Sequence, residues 1–253
     1  MKSFFSLVKA EFVMLFGELK NYRVNYIFYN IGLIIFFCGM LYNYQTSFIL
    51  LIALVLWQAT TSSTGYLSSV IYDEAMMGTL EQIFLTKTKV QTVMASKIVV
   101  NICFTIFKSF VLLLICYCFF ANSIVFSLTL PVILLIVLVF ILTVFPFYML
   151  GEFFGGLSLY YKRVSSVLNV FNNILLLFSG VFTTVDINNP IFYLTPLPSA
   201  IELIKIFYTN NYANFYYVLI TFIVIGLIYC VLGRVTFNMF INKAKRDGKL
   251  NQY

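Results

Sequence analysis

The sequence predicts an all-helical fold that crosses a membrane six times, and three observations predict it. The chain is 62% hydrophobic and only 10% charged over 253 residues, whereas a soluble domain is about half apolar and a quarter charged. One water-soluble core could not enclose so much apolar side chain, so lipid has to be the solvent for most of it. Apolar stretches of roughly 20 residues recur along the chain, each long enough as a helix to cross the ~30 Å hydrocarbon layer. The cations gather in alternate connections, which an odd number of crossings would split.

The first of six elements, 1–23, is not a span. Phe4, Val8, Phe12, Leu15 and Leu19 recur at helical spacing, with Lys2, Ser6, Lys9 and Lys20 off that stripe. This is the pattern of a helix lying in the membrane interface, its basic residues toward headgroups. Lys9, Glu11, Glu18, Lys20 and Arg23 interrupt the first apolar stretch and no small-residue cleavage site follows. The first span is therefore expected to serve as its own insertion signal.

Spans follow at 24–42 and 48–71, joined by an uncharged turn, so that 24–72 forms one unit. A polar connection occupies 73–97. Spans three to five, at 98–120, 124–150 and 164–184, make up 98–184. The turn at 121–123 is uncharged, and the connection 151–163 is short and basic. The connection 185–214 carries Pro190, Pro196 and Pro198. Span six, 215–237, and a basic tail complete 215–253. With the N-terminus inside, the inner face holds Lys2, Lys9, Lys20, Arg23, Lys87, Lys89, Lys97, Lys162, Arg163, Arg234, Lys243, Lys245, Arg246 and Lys249. That is fourteen of sixteen cations; only Lys205 lies outside, and Lys108 falls within a span. The bias places the chain in the cell (cytoplasmic) membrane with both ends cytoplasmic.

Several function classes drop out. The net charge of +7 reads as orientation and not as a nucleic-acid surface. The chain has no histidine, which removes Ser–His and Cys–His nucleophile pairs and HExxH zinc sites. The five cysteines form no CxxC pair and are expected as buried free thiols. Glu152 is the sole acid near a span and shows no partner in the sequence, so a membrane-embedded enzyme is disfavoured. Intramembrane acids for ion coupling are missing, and so are inverted repeats with paired helix breaks.

The informative segment is the connection 73–97. Gly78 permits a sharp turn. Thr79 with Gln82 reads as a capping box that starts a short helix, with Glu81 in its first turn, where the helix dipole favours a carboxylate. Ile83, Phe84 and Leu85 give that helix an apolar surface. Thr88 with Gln91 reads as a second capping box leading into span three. An apolar helix on the inner side of a chain with no inner domain calls either for a partner or for the lipid interface.

The run Asp73-Glu74, Gly78-Thr79-Leu80-Glu81-Gln82-Ile83-Phe84-Leu85 and Lys97 resembles the first cytoplasmic loop of type-2 ATP-binding-cassette (ABC) exporter permeases. Gly155-Gly156, Tyr161-Lys162-Arg163, Asn169 and Leu177-Phe178-Ser179-Gly180-Val181-Phe182 resemble their fourth-to-fifth span region. Tyr193-Leu194-Thr195-Pro196-Leu197-Pro198-Ser199-Ala200-Ile201-Glu202 resembles their outer segment between spans five and six. Where that family commonly has a proline after the loop helix, this chain reads Thr86-Lys87-Thr88-Lys89.

The resemblance implies a permease subunit that exports an amphipathic or hydrophobic cargo: a drug, an antimicrobial or toxin peptide, or a lipid-like molecule. Two copies of a cytoplasmic ABC ATPase and a second permease copy or paralogue would complete it. The loop helix would be the coupling helix, and two short re-entrant helices would fill the outer segment. Glu74, Gly78, Thr79, Leu80, Glu81, Gln82, Ile83, Phe84 and Leu85 would then form the ATPase contact, with Glu74 and Glu81 as polar contacts and Ile83, Phe84 and Leu85 as the apolar anchor. The chain has no GxxxxGK[ST] pattern, so it carries no cofactor of its own, and ATP and Mg belong to the partner. An ATP-independent channel, a secondary carrier and a lipid-linked glycan permease are the alternatives.

Candidate positions for a translocation path, or for packing between permease copies, are the polar residues of the spans. They are Gln58, Thr61 and Ser62, with Gly65, in span two; Asn169, Asn173, Ser179 and Gly180, with Asn172 nearby, in span five; and Asn101, Thr105 and Lys108 in span three. In lipid such faces turn inward. Lys108 lies eleven residues beyond Lys97, ~16 Å along a helix. Three roles stay open for it: an anionic group on the substrate, a carboxylate on another chain, or the outer interface.

Overall fold

In hydrocarbon a backbone must satisfy its own hydrogen bonds, so long apolar runs become helices. The computed structural model describes residues 2–43, 47–86, 90–120, 130–161, 164–178, 180–181 and 189–247, apart from the side chains of residues 2, 3, 81, 84, 130, 131 and 191. The described residues are helical, without a strand. The α-helices are α1 (Lys2–Asn21), α2 (Arg23–Asn43), α3 (Phe48–Met76), α4 (Thr79–Leu85), α5 (Val90–Phe119), α6 (Leu130–Tyr161), α7 (Ser165–Phe178), α8 (Pro196–Thr209) and α9 (Phe215–Arg246). A 3-10 turn covers Pro190–Tyr193.

Five of these, α2, α3, α5, α6 and α9, are long and apolar enough to cross a membrane. This is a membrane protein. The expected fifth span corresponds to α7, whose 14 residues are apolar but shorter than a crossing; the remainder of that expected span, at 179 and 182–184, lies outside the described residues, as do the turn at 121–123, the first residues of the expected fourth span, Lys87, Lys89, Lys162, Arg163 and Lys249.

The helices overrun the apolar stretches that predict them. α3 continues past Ile71 to Met76, and α5 begins at Val90, two turns before Ile98. α6 runs on through Gly151 to Tyr161, so the expected loop at 151–161 is helical, and α9 passes Phe237 to Arg246. Hydropathy marks where lipid ends, whereas backbone bonding carries the helix on into the polar zone.

α3 is the centre. Of its most apolar window 78% is buried, against 11–33% for the other four long helices. It packs mainly on α6, which packs in turn on α9. Glycine makes those approaches close. A Cβ at Gly151 would lie 2.9 Å from Leu67 Cβ, one at Gly155 would strike Ile71, and one at Gly233 on α9 would overlap the Met149 carbonyl. Small residues of this kind let helices meet in lipid, where apolar side chains gain nothing by leaving their neighbours.

Two apolar cores divide α3. Leu51, Leu54 and Leu56 join Phe37, Leu41 and the buried face of α8 (Leu197, Ala200, Leu203, Ile204). Leu67, Ile71 and Ala75 join Leu80, Met94, Tyr148 and Phe237 at the other end. The connection expected at 185–214 holds one turn and one helix in its described part. Pro196 opens α8, where the missing N–H costs nothing, and Asn210 closes it in the left-handed conformation (φ 54°). The turn is tied to α9 by a Tyr193–Tyr217 hydroxyl bond and by Tyr229 donating to the Leu194 carbonyl at 2.7 Å.

α1 follows the expected stripe: Phe4, Val8, Phe12, Leu15 and Leu19 are half-buried and Lys9 and Lys20 exposed. It packs along α5, and Phe5, Val13, Met14 and Phe16 stay exposed on its other faces. Of the cysteines only Cys116 is buried; Cys103 and Cys118 are exposed on the bundle's apolar surface, against expectation. α1 and the later part of α9 both meet α5 near the α4 end of the bundle. Glu11 of α1 meets Lys97 of α5, and Asn238 of α9 accepts from Gln91 of α5 at 3.1 Å.

Candidate functional site

Two assemblies of polar groups stand out, and α3 carries both. The first is the junction at α4. The short helix forms where the loop sequence predicts, but its cap differs. The N-cap is Gly78, at φ +71°, a left-handed conformation that glycine adopts without a Cβ penalty. Thr79 is already the first helical residue, and its hydroxyl turns back to the Glu74 carboxylate and carbonyl. Gln82 is exposed. A left-handed glycine turns the chain sharply enough that the threonine points backward, so the expected capping box does not form. Of the second expected box, Thr88 lies outside the described residues, and Gln91 instead donates to Asn238.

Glu74 does not face outward. Its carboxylate lies 3.2 Å from Lys97 Nζ, which also lies 3.3 Å from Glu11. The Lys97 side chain is 8% exposed, so one buried cation clamps α1, the end of α3 and the start of α5. Leu80 is also turned inward, fully buried with Ala75 and Met94, and Ile83 packs on the same core. These two seat α4 and do not present it. Leu85, 88% exposed, and the preceding Met76 and Met77 are the apolar groups left facing out. The side chains of Glu81 and Phe84 lie outside the described residues.

The second assembly is an intramembrane cavity of about 350 Å³. From α3 it takes Thr61, Ser62, Gly65 and Tyr66; from α5, Asn101, Phe104, Thr105 and Lys108. α2 adds Tyr26 and Tyr29, and α7 adds Asn172. The i, i+4, i+7 spacing of Asn101, Thr105 and Lys108 brings all three to one face, as the sequence predicts. Lys108 Nζ stands 4.4 Å from the centre of the Tyr29 ring, a cation–π contact. Gln58 is buried and donates to the Tyr29 hydroxyl at 3.0 Å. Asn101 Oδ1 accepts from Tyr148 at 2.5 Å and from Thr105 at 3.3 Å.

Span-five residues divide differently from expectation. Asn172, not Asn169 or Asn173, reaches this cavity. Asn169 lines a neighbouring groove of about 450 Å³ with Gly65, Ser68 and Ser69. The two spaces share Gly65, so a polar track follows α3 from near its α4 end to Lys108. Asn173 is exposed, Gly180 follows α7 at φ +80°, and Ser179 lies outside the described residues. Tyr26, Tyr29 and Tyr66 were not anticipated. Their signal was a tyrosine pair at i, i+3 on α2, which apolar composition masked.

Glu152 does have a partner. It is 1% exposed and takes both its bonds from Arg234 of α9, at 3.0 and 3.2 Å. The two residues are 82 positions apart, so their pairing is set by the α6–α9 packing that Gly233 permits.

Comparison of the chain with protein-family models, with curated proteins and with solved structures finds no match.

Proposed function

We propose that this chain is the permease subunit of an ATP-driven exporter in the cell membrane, with six crossings and both ends cytoplasmic. The reading rests on the loop, span-five and outer-segment motifs that resemble type-2 ABC permeases. The observation that carries it is α4: a two-turn helix seated by Leu80, projecting Leu85 beyond the bundle, and linked through Glu74 and Lys97 to three other helices. A push on such a helix would reach α1, α3 and α5 together. Pairing with two ATPase subunits and a second permease copy or paralogue follows from the same reading, with ATP and Mg held by the ATPases.

Six crossings are supported by parity. Glu11 of α1 and Asn238 of α9 both meet α5 near its α4 end, which an even number satisfies. α6 also finishes there, where Tyr160 meets Lys243, while α9 starts in the core shared with α8. A crossing that includes the apolar α7 would join these two ends, and this supports the sixth span. The cations Lys97, Lys243, Lys245 and Arg246 near the α4 end support a cytoplasmic orientation for that end. A channel or ion-coupled carrier is less well supported, because Glu152, the one acid enclosed deep among the described helices, is paired with Arg234.

The test is purification of the chain from its native membrane, with any P-loop ATPase it captures then co-expressed with it. The ATPase should co-purify, and Leu85→Asp should abolish stimulated ATP hydrolysis and export while the permease elutes and melts unchanged. Failure to capture any ATPase, or coupled activity that survives Leu85→Asp, overturns the assignment.

A further inference from the structure

We infer that the cavity between α2, α3, α5 and α7 binds the anionic headgroup of an apolar-tailed molecule, with the Lys108 ammonium as its counter-ion. Lys108 is half-buried within the apolar span α5, and among the described residues it faces no carboxylate, whereas the cations Lys97 and Arg234 both do. An unpaired ammonium at membrane depth is costly and marks a site whose missing charge arrives from elsewhere. The Tyr29 ring offsets part of that cost but leaves the ammonium protons free.

The remaining hydrogen-bonding capacity is tilted toward donors. Asn101 uses its carbonyl oxygen on Tyr148 and Thr105, so its amide protons remain to be given. Asn172 likewise turns its oxygen to Thr64, at 3.5 Å. The Tyr29 hydroxyl accepts from Gln58, and its own proton is left over. Against these, Ser62 and Thr61 have given their protons to the Ala59 and Gln58 carbonyls and keep only acceptor capacity. One cation and several free donors, with no acid, suit a phosphate or carboxylate and disfavour a cation.

The tail has a place too. Phe104 is shared with an apolar cavity of about 250 Å³ between α1 and α5, lined by Phe12, Leu15, Leu19 and Phe107. A charged pocket beside an apolar one fits an amphipath. As a cargo site this rests on the exporter reading. Binding itself does not, and it is measured here without any ATPase, so the two fail separately.

The experiment is equilibrium binding of radiolabelled dodecyl phosphate to the full chain in phosphatidylcholine nanodiscs. Wild type should bind saturably, with dodecanol a poor competitor. Lys108→Met should weaken binding about tenfold or more, the scale of one charge-assisted hydrogen bond, and Lys108→Arg should stay within a few fold. Tyr29→Phe, which keeps the ring and removes a donor, should weaken it several-fold and decides the matter if Lys108→Met does not fold. Inorganic phosphate that displaces the label upholds the site and names a free anion as its ligand; failure to displace upholds it with a lipid-like anion. Equal affinity in wild type and Lys108→Met, or equal competition by dodecanol, overturns the proposal.

Discussion

The Lys97 ammonium and the Glu74 carboxylate lie 3.2 Å apart across the connection that carries α4, with both side chains largely enclosed. Glu11 completes the group from α1, at 3.3 Å from the same nitrogen. One cation therefore bridges two acids from separate elements. Without it the two carboxylates would repel each other with little water to screen them.

Lys97→Met should consequently lower stability by about 3 kcal/mol, the cost of stranding partners of an enclosed ion pair. The readout is the thermal midpoint of purified protein. Adding Glu74→Gln should recover part of the loss, because fewer charges are left stranded. A midpoint that Lys97→Met leaves unmoved would show the cluster to be dispensable.

Gly233 on α9 faces the backbone of α6, and a Cβ there meets the Met149 carbonyl, which cannot swing aside as a side chain would. Gly233→Ala should therefore force α9 away from α6 and cost about 3 kcal/mol. Gly32→Ala is the matched control. Nothing lies within 4 Å of its Cβ, and alanine favours the helix by up to ~1 kcal/mol. Yield of monodisperse protein and thermal midpoint should fall for the first and hold for the second.

Glu152 and Arg234 should show strong coupling in a double-mutant cycle. Arg234→Met leaves a 1%-exposed carboxylate without its counter-ion and should cost several times more than the Arg234→Met, Glu152→Gln pair. The four thermal midpoints, of wild type, Arg234→Met, Glu152→Gln and the double variant, measure it. Additive effects would mean that the bridge contributes no specific stability.

Much of the architecture could be read locally. α4 lies where the loop motif places it, because Gly78 has few uses other than a sharp turn. The Asn101, Thr105 and Lys108 face was legible because three polar groups at helical spacing stand out against apolar neighbours. Asn172 could not be separated from Asn169 and Asn173, since all three sit on one short helix and only its rotation against α3 selects between them.

By itself the sequence determined that this chain lives in lipid as helices, and it separated the cation-rich end of the bundle from the cation-poor one. Both follow from transfer energies that add residue by residue. The tertiary structure decided who meets whom: Lys97 with Glu11 and Glu74, Glu152 with Arg234, and α3 rather than α2 at the centre. Helices that are apolar on every side carry almost no periodic signal of their packing face. In lipid, close glycine contacts and a few polar pairs choose among arrangements that hydrophobicity leaves nearly equal.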